Sequence, residues 1–141
     1  MPEFILPGKY TPEFSRLSPF VKGYIEAMFF TDTGTGDDEE KGLEDASFED
    51  LAPKALKLIH EDCNVFLADC GQLLEEAYSA CPTPYDAERA GNDFWYTRNG
   101  HGVGFWDRGL PKPLSDKLCA VARGFGPLYL YRGTDELIYL S

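Results

Sequence analysis

The sequence predicts an α+β fold: a small antiparallel sheet of about four strands, built as two hairpins and packed against two or three helices. Three observations lead there. Two stretches, Pro19 to Phe30 and Pro53 to Ala80, repeat apolar residues every three or four positions, the period of a helix with one buried face. Residues Asn92 to Gly109, NDFWYTRNGHGVGFWDRG, set two β-prone aromatic runs on either side of Asn99-Gly100, the strongest short-range hairpin signal. A second pair of apolar runs, Leu128 to Tyr131 and Leu137 to Leu140, flanks a turn at Gly133 to Glu136.

The 141 residues suit a single domain with a sizeable core, and 14% aromatics supply material to fill it. The formal net charge is −11 and is unevenly spread. Residues 1–91 hold 19 acidic and 7 basic side chains, net −12, whereas residues 92–141 hold 5 and 6, net +1. Nucleic-acid binding needs clustered Lys and Arg, so this balance disfavours it, and it disfavours an anionic membrane surface for the same reason. A protein partner with a basic surface is favoured. The first residues carry no basic region, and prolines interrupt their apolar run, so no signal peptide is expected. No run approaches the roughly 18 apolar residues of a membrane helix, and the cytoplasm is the expected location. Cys63, Cys70, Cys81 and Cys119 match no zinc spacing and are expected as buried thiols. No metal and no cofactor are expected.

Residues 1–17 contain Pro2, Pro7 and Pro12 and predict an extended arm, with Phe4, Ile5, Leu6 and Phe14 lying across the body. Ser18-Pro19 is a helix start, an N-cap serine and a proline at the first helical position. The helix runs to about Phe30 with a stripe of Phe20, Val21, Tyr24, Ile25, Met28 and Phe29. Residues 31–46 predict an acidic loop, expected to be mobile because Leu43 is its one large apolar anchor. Asp37, Asp38, Glu39 and Glu40 in it are candidates for binding a partner. Their spacing is out of register with a calcium loop.

The α+β body is placed at residues 47–141. Ser47 to Asp50 resembles a capping box, and Pro53 suits the first turn of a helix that runs to Ala80. Its stripe is Leu56, Ile59, Cys63, Phe66, Cys70, Leu73 and Ala77. His60 beside the stripe is expected as a surface or partly packed histidine. Cys81-Pro82-Thr83-Pro84 ends the helix, and Tyr85 to Ala90 predicts one helical turn. Further on, Ser115 is expected to cap a third helix that ends near Gly124 or Gly126.

A two-residue turn at Asn99-Gly100 pairs Arg98 with His101, Tyr96 with Val103, Phe94 with Phe105 and Trp95 with Gly104. A four-residue loop, Asn99 to Gly102, is the alternative. As an enzyme, the hairpin would use His101 as general base, Asp107 or Asp93 to orient it, and Arg98 to hold an anion. The motif has no Ser or Cys nucleophile and no phosphate-cradling loop. As a scaffold, it would pair Arg98 with Asp107 or Asp93. As a binding surface, it would offer Trp95, Arg98, Asn99, His101, Trp106 and Arg108.

The run Asp93 to Gly109 resembles a D-F-W-x-T-R-N-G-H-G-x-G-F-W-D-R-G segment in a family of small uncharacterised proteins of tailed bacteriophages and prophages. There a short helix and an aromatic-rich L-Y strand follow it. Asp62-Cys63-Asn64-Val65-Phe66 is also similar, and the resemblance covers residues 50–140. It implies a phage or mobile-element accessory protein in the bacterial cytoplasm, and it assigns no activity to any residue. The expected function is a non-catalytic binding module, in its sharpest form an acidic inhibitor of a host nucleic-acid-binding protein. Single-stranded nucleic-acid binding through the aromatic and Arg hairpin and a small hydrolase-like enzyme using His101 are the alternatives.

Overall fold

Thr11 accepts a hydrogen bond from the Phe14 amide and caps a single helical turn, α1, at Pro12–Ser15. The computed structural model describes residues 6–33 and 46–141. Residues 6–17 thus turn and coil where an extended arm was predicted, although Leu6 and Phe14 are buried as expected. Ser18 Oγ accepts from the Val21 amide at 3.3 Å, and α2 follows at Pro19–Thr33, three residues into the predicted loop. The acidic residues Asp37, Asp38, Glu39 and Glu40 lie outside the described residues, and so does the expectation that their segment is mobile. Ser47 and Asp50 form a capping box around a 3-10 turn, Phe48–Asp50. Helix α3 spans Pro53–Ala80 as predicted and buries Ile59, Cys63, Phe66, Cys70, Leu74 and Ala77.

Helix α4, at Ala87–Arg98, overturns the predicted fold class. The described residues are mostly helical, and their one sheet has two strands, not four. The segment read as the first strand of a hairpin is a helix because every local device for one is present. Asp86 caps it, accepting from the Arg89 amide at 3.0 Å. Glu88 sits in its first turn and Arg98 in its last, matching the helix dipole. Ala90, Gly91, Phe94, Trp95 and Arg98 are buried at helical spacing. Asn99-Gly100 then ends the helix. Gly100 has φ +69°, its amide bonds to Thr97 O at 3.2 Å, and the His101 amide bonds to Tyr96 O at 3.0 Å. These are the paired bonds of a Schellman cap. The positive φ that a hairpin turn requires therefore serves a helix terminus here.

The predicted pairing of Phe94 with Phe105 is replaced by packing on a common ring. Phe66 of α3 stacks on Phe94 at 4.2 Å and on Phe105 at 5.8 Å, centroid to centroid. Phe105 belongs to a second 3-10 turn, Phe105–Asp107. Helix α5 spans Lys112–Gly124, with Pro111 rather than Ser115 at its N-cap; the Ser115 hydroxyl donates to Lys112 O. The C-terminal hairpin forms as predicted but shorter, β1 at Leu130–Arg132 and β2 at Ile138–Leu140. Its register is Leu130 with Leu140, Tyr131 with Tyr139 and Arg132 with Ile138. Leu51 adds an isolated parallel bridge to Ile138, which ties the start of α3 to β2.

Helices α2 and α4 meet backbone to backbone. A Cβ at Gly23 would lie 1.8 Å from Glu88 O, and one at Gly91 would lie 2.0 Å from Phe20 O. Asn92 seals the crossing by donating its side-chain amide to Gly23 O at 2.6 Å. Gly91→Ala should therefore destabilise the protein by about 3 kcal/mol or more, since neither backbone can yield to a methyl group. Gly71, in mid α3, has nothing within 4 Å of its ideal Cβ position. Gly71→Ala should stabilise by about 0.5–1 kcal/mol. Urea unfolding of the two variants checks both signs.

Candidate functional site

The polar residues of Asp93 to Gly109 separate into an inner set and a surface set. Asp93 is fully buried on α4. Its Oδ2 accepts from the Tyr85 hydroxyl at 2.6 Å and from Arg108 Nε at 2.9 Å, and its Oδ1 accepts from Arg108 Nη2 at 2.6 Å. This two-pronged pair fixes the loop after α4 onto the helix. Gly109, at φ +76°, turns the chain directly beyond Arg108 and leaves no room for a side chain beside Pro82. Burial pushes the Tyr85 hydroxyl well above its ordinary pKa, and the Asp93 carboxylate pushes it further.

Arg98 is 5% exposed. Its Nη1 donates to Asp62 Oδ2 at 2.8 Å and to the Tyr24 hydroxyl at 3.0 Å. Nε donates to Gly126 O at 2.8 Å and Nη2 to Phe125 O at 3.2 Å. Its guanidinium also lies over the Phe94 and Phe125 rings, 5.7 and 5.3 Å from their centroids. One side chain thus joins α2, α3, α4 and the end of α5. The expected pairing of Arg98 with Asp107 or Asp93 is corrected: Asp62 is its partner, and Arg108 is the partner of Asp93.

Trp95 and Asn99 also serve the fold. Trp95 is buried, and its indole N–H donates to Thr31 Oγ1 at 2.9 Å. Asn99 Oδ1 accepts from the Leu128 amide at 2.7 Å, and its Nδ2 donates to Trp95 O at 2.9 Å. The surface set is His101, Trp106 and Asp107. His101 is half-buried, its ring edge-on to Tyr96 at 6.1 Å, not beside Arg98 as the hairpin register implied. No hydrogen bond or ion pair joins it to Asp107 or Arg98 among the described residues. Trp106 is 41% exposed and lies against Gly104, with the Arg123 guanidinium 5.4 Å from its ring centroid. It takes the glycine-covering place predicted for Trp95.

Two further features lie outside the motif. Glu26 and Glu88 face each other beside the α2–α4 crossing, next to a 220 Å³ cavity lined by Glu26, Ala27, Phe30, Asn92 and Tyr96. Burial holds the Glu26 proton above the usual carboxylate range; Glu88 adds to the effect, and Lys9 and Lys22 oppose it. A pair meeting across two helices has no signature in the sequence. The second feature is the outer face of α3. Glu61, Asp69, Glu75 and Glu76 are exposed along it, and no Lys or Arg follows Lys57 in the helix. The chain matches no family model, no curated protein and no solved structure.

Arg108→Ala leaves Asp93 buried without its cation and should cost about 3–5 kcal/mol. His101→Ala should cost less than about 1 kcal/mol. Chemical denaturation of both variants tests the division into inner and surface sets. Glu26 has a folded pKa above its unfolded one, so the native state holds the extra proton between the two values. Stability should fall as pH rises through that window, and Glu26→Gln should flatten this part of the stability–pH curve.

Proposed function

We propose that the protein is a non-catalytic binding module that presents an acidic face to a partner with a basic surface. The observation that carries this is the charge order of α3. Its last turn contains no basic residue, and Glu75 and Glu76 stand close to its C-terminus. Carboxylates there oppose the helix dipole, at about 0.3–1 kcal/mol each. Charge placed against the stability of its own helix is charge available for another purpose.

Glu61 to Glu76 spans 15 residue steps, about 22 Å of helix at 1.5 Å per residue. A row of carboxylates of that length suits a groove that otherwise accepts a nucleic-acid backbone. Asp37, Asp38, Glu39 and Glu40 add to the same negative charge. In its sharpest form, the module blocks a nucleic-acid-binding protein of a bacterial host, in the cytoplasm. The likeness of Asp93 to Gly109 to a phage and prophage segment supplies that context. Asp93, Arg98 and Arg108 are committed to internal bonds, which removes the orienting carboxylate and the anion-holding arginines that a catalytic reading of this motif requires. Trp95 is buried, so it is not available to stack a base.

The test is a variant with Asp69, Glu75 and Glu76 all changed to Lys. It should unfold at a slightly higher temperature than the parent, through the two charges closest to the C-terminal end of the dipole, Glu75 and Glu76; Asp69 lies in mid-helix and adds little. Immobilised on a support, the parent should retain basic proteins from nuclease-treated bacterial lysate at low salt and release them at moderate salt. The variant should not retain them. Equal retention of the same proteins by both would remove α3 as the binding face.

A further inference from the structure

We propose that the groove between the start of α3 and the C-terminal hairpin binds a free nucleotide, a planar aromatic base carrying a phosphate, of nucleoside-monophosphate size. The groove has a volume of about 300 Å³ and is lined by Lys54, Lys57, Leu58, Glu61, Tyr131 and Tyr139. That is the lower end of the range for small-molecule sites.

One wall is aromatic and fixed in place. Tyr131 and Tyr139 are direct cross-strand neighbours, their rings 5.7 Å apart and inclined by 24°. Ile138 and Leu130 carry the buried side of the hairpin, which leaves this pair facing outward. Tyr131 is 45% exposed, so it offers a free ring face. Tyr139 is locked by its hydroxyl, which donates to Asp135 Oδ2 at 2.6 Å. Its ring also lies against Gly133, where a Cβ would come within 2.7 Å of Tyr139 Cε2. The turn is shaped around that ring. Cross-strand aromatic pairing stabilises a hairpin by itself, but it does not account for the cations opposite.

Those cations are Lys54 and Lys57, three residues apart and on one side of α3. Lys54 has no ion-pair partner among the described residues, and Lys57 reaches only Glu61 at 4.0 Å, with both side chains largely exposed. Such a pair is weak, so both ammonium groups are free to hold a phosphate. Glu61 supplies a hydrogen-bond acceptor, which suits the hydroxyl groups of a ribose. A base on Tyr131 and a phosphate between the lysines use every chemical feature of the groove. The single-ligand volume and the net charge of −11 favour a free nucleotide over a long polyanion, which the rest of the surface repels.

The experiment is a titration of the full chain with adenosine 5′-monophosphate, followed by amide and tyrosine ring NMR shifts. Saturable shifts confined to Lys54, Lys57, Glu61 and the residues around Tyr131 and Tyr139 are expected. Adenosine alone and inorganic phosphate alone should each bind about tenfold more weakly or less. Tyr131→Ala, and Lys54→Ala with Lys57→Ala, should each weaken the nucleotide about tenfold or more; all three positions are exposed, so the fold survives these changes. No saturable shift, shifts spread over the surface, or phosphate binding as tightly as the nucleotide would each overturn the proposal. A 5′-phosphorylated oligoadenylate that binds more tightly than the mononucleotide would overturn the assignment to a free nucleotide and point to strand ends.

Discussion

The contact on which the structure depends is the crossing of α2 and α4 at Gly23 and Gly91. Two helices ordinarily keep 8–10 Å between their axes because side chains intervene. Here neither glycine interposes a carbon, and each backbone lies where the other residue's Cβ would be. The aromatic side chains are thereby displaced to the flanks. Tyr24 meets Trp95 edge-on at 5.3 Å, and Phe20, Phe66 and Phe94 form a stack beside it. α3 packs against that stack through Phe66, and α5 closes it. The close approach also sets two half-buried polar groups at its edge: Asn92, which donates its amide to Gly23 O, and Glu26, which meets Glu88.

Two ion pairs hold what the crossing arranges. Arg98 with Asp62 ties the C-terminal end of α4 to the middle of α3, and Arg108 with Asp93 ties the following loop back to α4. Buried pairs of this kind are poor sources of net stability, because desolvation offsets most of the attraction. Their effect is to specify one arrangement. Arg98 meets Tyr24 of α2, Asp62 of α3, Phe94 of its own helix, and Phe125 and Gly126 at the end of α5, and no other side chain fits them all. A motif dense in Asp, Arg, Asn and Trp therefore marks the joint of the molecule. The proposed binding surfaces, the carboxylates of α3 and the groove beside Tyr131, lie outside the motif.

Much of this was legible in the sequence, and the failure has a definite physical cause. α2 and α3 carry long apolar stripes with proline at their starts, and both were placed correctly. The last hairpin was placed correctly too, because Gly133-Thr134-Asp135 has a single structural use there. α4 was missed because two of its inward positions are Gly91 and Arg98, which no hydrophobic count registers. What remained visible was Phe94-Trp95-Tyr96, a β-prone run, beside Asn99-Gly100. That dipeptide supplies a positive φ to a hairpin turn and to a helix cap alike. The N-cap at Asp86 was the signal that separates the two outcomes. The Arg98–Asp62 and Arg108–Asp93 pairs followed from the fold and were not readable from spacing.

The most direct test of this account is the proton–proton proximity at the crossing. Gly91 lacks a side chain at a point 2.9 Å from the Tyr24 amide nitrogen, so a strong nuclear Overhauser contact should join a Gly91 α-proton to the Tyr24 amide proton. Helical carbon shifts should accompany it from Ala87 to Arg98. Extended shifts over those residues, with a contact between the backbones of Phe94 and Phe105 in place of the one at Gly91, would contradict it.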